Sequence, residues 1–215
     1  MKNELISRFY NVKLETRDGE NGEGTIKGTP IVFESRTDLG FFDEIIDRGA
    51  LTDANLNDVR LCLNHDTSYV YARSRRNQPN STMRLQVTEQ GLDIEADLAL
   101  EDSPKARDFY SAIKRGDIDK MSFMFSIDEE YWENLESEHP TRHITKIGSV
   151  VEVSAVTFPA YDSTSIYARS DSADVLERAR QAVETAREQK RSNETANSVS
   201  ELELEKAKFN FKSKF

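Results

Sequence analysis

Up to about Arg169 the chain consists of short runs in which apolar and polar residues alternate, separated by turn-forming residues, the pattern of half-buried β-strands. "RFYNVKLET" and "TIKGTPIVFES" read as the first strands, and "DVRLCLNHD", residues 58–66, as another. By alternation Leu61, Leu63 and His65 share one face, and Arg60, Cys62 and Asn64 the other. "TMRLQVTEQGLDIEADLAL" predicts a hairpin that turns near Glu89-Gln90-Gly91. In "DKMSFMFSIDEE", residues 119–130, Met121, Phe123, Phe125 and Ile127 point one way, while Ser122, Met124 and Ser126 point the other. After a polar loop containing "ESEHPTRH", "ITKIGSV" and "VEVSAVTFPA" read as strands.

Two segments break this rhythm. "SPKARDFYSAIKRGD" carries a helix signature: Ser103 as N-cap, Pro104 in the first turn and Gly116 as the stop. Residues 172–190 predict a surface helix with a thin stripe of Val175, Leu176, Ala179, Val183 and Ala186. "RSNETANSVS" then reads as a linker before the terminal "ELELEKAKFNFKSKF". The whole is an α+β chain with a mostly antiparallel sheet or barrel over residues 1–170 and a charged helical or disordered tail over 171–215.

Composition narrows the function. The net charge is −10, and the tail balances nine acids with nine bases, so residues 1–170 hold 30 acids against 20 bases. An acidic body argues against direct nucleic-acid binding through neutralised phosphates. No apolar run reaches bilayer-spanning length, and "MKNELISRFYNVKLE" has charges where a signal peptide needs an apolar stretch. A soluble intracellular protein is expected. One cysteine, Cys62, leaves no disulfide framework and no multi-cysteine zinc site.

Three places invite chemistry. A serine becomes a nucleophile when a histidine takes its proton and a third group orients that histidine. Of the three histidines, His139 and His143 lie in the polar loop beside Pro140 and read as surface residues, with no metal site expected. His65, at the end of an apolar strand, is either a half-buried cap or a base. Glu152 interrupts an apolar run and needs a partner. That partner is an arginine or lysine on a neighbouring strand, solvent at an edge, or the Nδ1–H of His65; Ser154, on the same face, is a second polar contact. A cysteine hydrolase is disfavoured because alternation sends Cys62 and His65 to opposite faces, and a metal nuclease read from "NHD" is disfavoured by the acidic body.

Taken in order, "LNHD", "KMSFMF" and "VEVSAVTFPAYDSTSI" resemble the prohead maturation proteases of tailed double-stranded DNA bacteriophages, over roughly residues 5–170. The "GTPIVFESRTDLGFFDEIIDRGAL" stretch also looks like the family's opening, with a glycine-alanine step before a helix. These proteases are similar in fold to herpesvirus assemblins, which implies a small, mostly antiparallel β-barrel wrapped by a few helices. Carried over by motif, Ser122 would be the nucleophile, His65 the general base, and Glu152 would stand where assemblins place a second histidine. The assemblin oxyanion loop carries an arginine, whereas "TFPAYDSTS" here has none and would offer backbone N–H groups.

The resemblance implies a serine endopeptidase without cofactor or metal. It would act in the host cytoplasm, packaged inside the immature capsid. Its substrates would be the major capsid protein's scaffolding segment or a separate scaffolding protein, and itself; a homodimer is the assemblin precedent. The tail would be a targeting or self-cleaved extension. The alternative is a catalytically inert capsid-assembly or scaffolding component with the same fold.

Overall fold

In the computed structural model, residues 5–10, 14–19, 24–157 and 170–212 are described. Eleven strands and two helices follow in chain order: β1 (Leu5–Tyr10), β2 (Glu15–Asp18), β3 (Gly24–Val32), β4 (Thr37–Asp38), β5 (Asp43–Ile46), β6 (Val59–Leu63), β7 (Ala72–Ser74), β8 (Met83–Val87), β9 (Gly91–Leu98), α1 (Pro104–Arg115), β10 (Lys120–Glu133), β11 (Thr141–Val156) and α2 (Ser170–Lys212). The mixed, mostly antiparallel class matches expectation. The closed barrel does not: the strands form a seven-stranded sheet, β1-β10-β11-β5-β4 with β6 and β7 attached, and a separate four-stranded sheet, β2-β3-β9-β8.

The long hairpin of β10 and β11 is the frame of the larger sheet. The far edge of β11 is used twice, pairing in parallel with β5 at residues 141–144 and with β6 at residues 152–155. Alternation along β10 sends Met121, Phe123 and Phe125 fully into the core, where they meet Ile26, Ile31 and Leu92 of the smaller sheet in one cluster. Burial of each such side chain contributes about 1.5–3 kcal/mol, so the opposite face of the sheet is free to carry polar groups.

The local signals held where they were strong. Ser103 caps α1 by accepting from the Ala106 N–H at 3.2 Å, and Gly116 ends it in the left-handed region at φ 79°. The β8–β9 turn requires Gly91, since a Cβ there would sit 1.8 Å from the Ile31 carbonyl oxygen. Two expectations are corrected. "RFYNVKLET" spans parts of two strands, β1 and β2, rather than one, and Gly49-Ala50 opens a series of turns, not a helix.

The tail also differs. α2 runs from Ser170 through Lys212, with helix where "RSNETANSVS" predicted a linker. That segment holds no proline or glycine, and its weaker helix formers cost only tenths of a kcal/mol each, about 0.7 at most. Thr195 and Ser198 direct their hydroxyls back to the carbonyls of Arg191 and Glu194, both at 2.9 Å. The expected stripe docks through Ala179 and Val183 on Leu39 and Phe42, with Trp132 alongside; the side chains of Val175 and Leu176 lie outside the described residues. Arg187 donates to the carbonyls of Leu135 and Ser137 at 3.0 and 2.8 Å, tying α2 to the β10–β11 turn.

Candidate active site

Register fixes which side chains meet on the polar face of the larger sheet. Ser122 lies opposite Ser154, and Ser154 opposite Cys62, one row across β10, β11 and β6. The next row is Met124, Glu152 and Arg60. Ser122 and Glu152 are therefore diagonal neighbours on one face, a relationship that places side chains roughly 7–8 Å apart. A register shift between Met124 and Phe125, which skips Val151 on β11, resets the alternation and puts Glu152 on this face while Val150 keeps its place in the core.

His65 reaches the same face by a route that alternation does not describe. β6 ends at Leu63, and both Asn64 and His65 adopt left-handed backbone, with φ of 53° and 61°. Asn64 is the kind of residue that tolerates this conformation. Its N–H donates to the Ala155 carbonyl at 2.9 Å, and its side-chain oxygen accepts from the Thr157 N–H and hydroxyl at 2.9 and 3.1 Å. The chain end of β6 is thus clamped to that of β11, and the turn carries the imidazole away from the Leu61–Leu63 face. The expected placement of His65 beside those leucines is corrected by this turn.

His65 Nδ1 lies 2.7 Å from Glu152 Oε2. A carboxylate only accepts, so the proton resides on Nδ1 and Nε2 is the basic nitrogen, the tautomer a general base requires. The Ser154 hydroxyl donates to the other carboxylate oxygen, Oε1, and accepts from the His65 N–H at 3.0 Å. Glu152 is 2% exposed and the His65 side chain 27%, so the orienting group is buried while the imidazole reaches solvent. Arg60, in register with Glu152, turns its guanidinium to Asp58 at 2.9 Å instead. Of the partners open to Glu152 in the sequence, it takes the histidine.

Ser122 is 3% exposed, and its hydroxyl donates to the Arg8 carbonyl of β1 at 2.8 Å, not to His65. β1 is held there by a buried ion pair, with Arg8 Nε and Nη2 on the two Glu44 carboxylate oxygens at 2.5 and 3.0 Å. The structure therefore joins His65 to Glu152 by a bond and places Ser122 on their face without a bond to either. The sequence points to Ser154 as a contact of Glu152, and its bond to the His65 main chain has no signal in the sequence beyond the shared face. The left-handed turn did carry one, an asparagine at the end of a strand.

Cys62, expected on the face away from the site, lies on it, beside Ser154. Burial, and secondarily the Glu152 charge, push its thiol up to about 11. His143 is not in a loop but in β11, its Nδ1 2.7 Å from Asp47 Oδ1 and its ring stacked on Tyr131. His139 Nε2 approaches Asp43 at 3.2 Å. With Asp38 these two could gather metal ligands, but Arg36 already holds Asp43 at 2.6 Å, and the group sits at the opposite end of β11. The "TFPAYDSTS" loop, apart from Thr157, lies outside the described residues. No helix among the described residues is long and apolar enough to cross a membrane.

A basic imidazole nitrogen backed by a buried carboxylate, with a shielded hydroxyl on the same rigid sheet face, is chemically suited to acyl transfer. Comparison places the chain within that class. Residues 10–179 match the family described as caudovirus prohead serine proteases, and the chain belongs to that family. It is a protease of the prohead, and its role is capsid maturation. Among solved structures it is similar to the capsid assembly protease of bacteriophage T4, at 13% identity and a TM-score of 0.47, covering 74% of this chain and 100% of that one. No curated protein matches it.

Proposed function

We propose that Ser122 is the nucleophile of this protease, His65 its general base and Glu152 the group that orients His65. The observation that carries this is the 2.7 Å bond between His65 Nδ1 and Glu152 Oε2 on the sheet face that also bears Ser122. Ser122 Oγ attacks a peptide carbonyl as Nε2 takes its proton; the acyl-enzyme forms, the protonated imidazole gives its proton to the leaving amine, and water then completes hydrolysis with His65 again as base. Glu152 stabilises the imidazolium formed in each half.

The substrates are the scaffolding segment of the major capsid protein or a separate scaffolding protein, and the protease itself. It reaches the prohead from the host cytoplasm and needs no cofactor, metal, nucleic acid or membrane, and a homodimer is the arrangement that the assemblin resemblance suggests. Residues 1–170 are the catalytic domain, and 171–215 a targeting or self-cleaved extension. A second reading, an inert assembly component of the same fold, draws on the bond that Ser122 makes to Arg8. The test is intact mass spectrometry of the wild-type chain beside Ser122→Ala, each co-expressed with the capsid protein of the same virus. Fragments with the wild type alone support the protease reading. Fragments with both remove Ser122 from the role of nucleophile, and fragments with neither favour the inert component.

A further inference from the structure

We infer that Ser154 is a positioning residue of this protease, the element that locks base and carboxylate into one rigid unit. The inference rests on the assignment of His65 as base. Ser154 is fully buried, and its hydroxyl is used in both directions. The O–H donates to Glu152 Oε1, and the oxygen accepts from the His65 main-chain N–H at 3.0 Å. Glu152 Oε2 in turn holds His65 Nδ1 at 2.7 Å. A closed cycle results, running from the His65 backbone through Ser154 and Glu152 to the His65 ring.

The cycle answers two problems that a bare histidine–carboxylate pair leaves open. A carboxylate bonded at one oxygen can swing about its side-chain torsions, whereas one bonded at both has a single orientation. His65 also sits in left-handed backbone at φ 61°, a conformation that persists only when its surroundings over-determine it. The bond from its N–H to Ser154 is one such constraint, and it ties backbone to ring. Ser154 has one proton, which goes to Glu152, so it has none to offer His65 Nε2. It shares the row of Ser122 but is not a second nucleophile.

The test uses the full-length chain and a fluorophosphonate probe, which a base-activated serine attacks at phosphorus with loss of fluoride while the hydroxyl proton goes to His65 Nε2. Intact mass gives the rate of labelling at Ser122, and thermal melts report folding. Ser154→Ala, and the near-isosteric Ser154→Cys with its weak hydrogen bonds, should slow labelling roughly 10- to 100-fold with little change in the probe concentration at half-saturation. Ser154→Thr, which keeps the hydroxyl, should return to within about threefold of wild type. The downfield proton resonance of the His65 Nδ1–H on a carboxylate should be present in wild type and Ser154→Thr and lost in the other two. A purely packing role predicts the reverse order, with alanine tolerated and threonine not. Wild-type labelling and an unchanged resonance in Ser154→Cys, alongside slow labelling of His65→Ala, overturn the inference alone. Fast labelling of His65→Ala overturns the base assignment, and the role of Ser154 falls with it.

Discussion

The Ser122 hydroxyl points to the Arg8 carbonyl, 2.8 Å away, while the imidazole proposed to activate it is bonded elsewhere. Catalytic hydrogen bonds are often long or misaligned without substrate and tighten only in the complex, and a rotation about the serine's χ1 is the motion that would release this one. The bond is a single neutral contact, worth about 1 kcal/mol net. Ser122→Ala should therefore melt close to wild type, with a loss of stability of about 1 kcal/mol, and should lose cleavage of the capsid protein by at least roughly 10³-fold. Denaturant unfolding and a timed gel of the co-expressed capsid protein read the two quantities. A variant that cleaves at the wild-type rate would sink the nucleophile assignment.

Glu152→Gln separates charge from shape. An amide oxygen can still accept from His65 Nδ1, but it gives the imidazolium no counter-charge, and its NH₂ group can instead turn toward the ring and impose the wrong tautomer. Both effects act on the chemical step. We expect kcat to fall by about 10²–10⁴-fold with KM within about threefold of wild type, measured on a peptide spanning a mapped cleavage site. A change confined to KM would show that Glu152 serves substrate binding rather than His65.

Much of this was legible because strand alternation is a short-range signal. Met121, Phe123 and Phe125 sort to the core and Ser122 away from it whatever else the chain does. The motif order drew His65, Ser122 and Glu152 together, and two of the three are bonded. The errors arose where local periodicity stops being valid. At Asn64 and His65 two left-handed residues break alternation, so the face of His65, and with it the facing argument about Cys62, came out reversed. The closed barrel was an inference from resemblance; that β5 and β6 both pair along the far edge of β11 is a long-range choice that no window of sequence contains. The linker in α2 failed because serine and asparagine are weak helix formers rather than breakers.

The docking of α2 offers a clean optical test. Val183 is 5% exposed in a small cluster with Leu39 and Phe42, beside Trp132, and Trp132 is the chain's one tryptophan, 4.9 Å from the Phe42 ring. Val183→Asp puts a carboxylate into this apolar cluster, which costs about 2–4 kcal/mol if the helix stays docked, even with Arg187 one turn away. The cluster is separate from the main core, so release of α2 relieves that cost without unfolding the sheets. The expected outcome is a red-shifted Trp132 emission and faster proteolysis within 177–196, with the far-UV signature of the strands retained. Unchanged emission would mean that the contact is not maintained in solution.

Cys62 makes a prediction about pH. Its thiol is fully buried beside Glu152, and the folded chain raises its pKa from 9.0 to about 11. The neutral form is thus favoured by folding. Its contribution is fully present below the unfolded value and is lost as pH rises from about 9 towards 11, an effect of about 2–3 kcal/mol at most. Cys62→Ala removes this dependence. The difference in unfolding free energy between wild type and Cys62→Ala should therefore be constant from pH 7 to 8.5 and shrink by pH 10.5, and the subtraction cancels tyrosines that titrate in the same range. Native alkylation at pH 8 should be negligible, while denatured chains react fully. Cys62→Ala should still cleave the capsid protein within about threefold of wild type, since a thiol held neutral is no nucleophile; loss of cleavage in a variant that melts normally would give Cys62 a part in the chemistry.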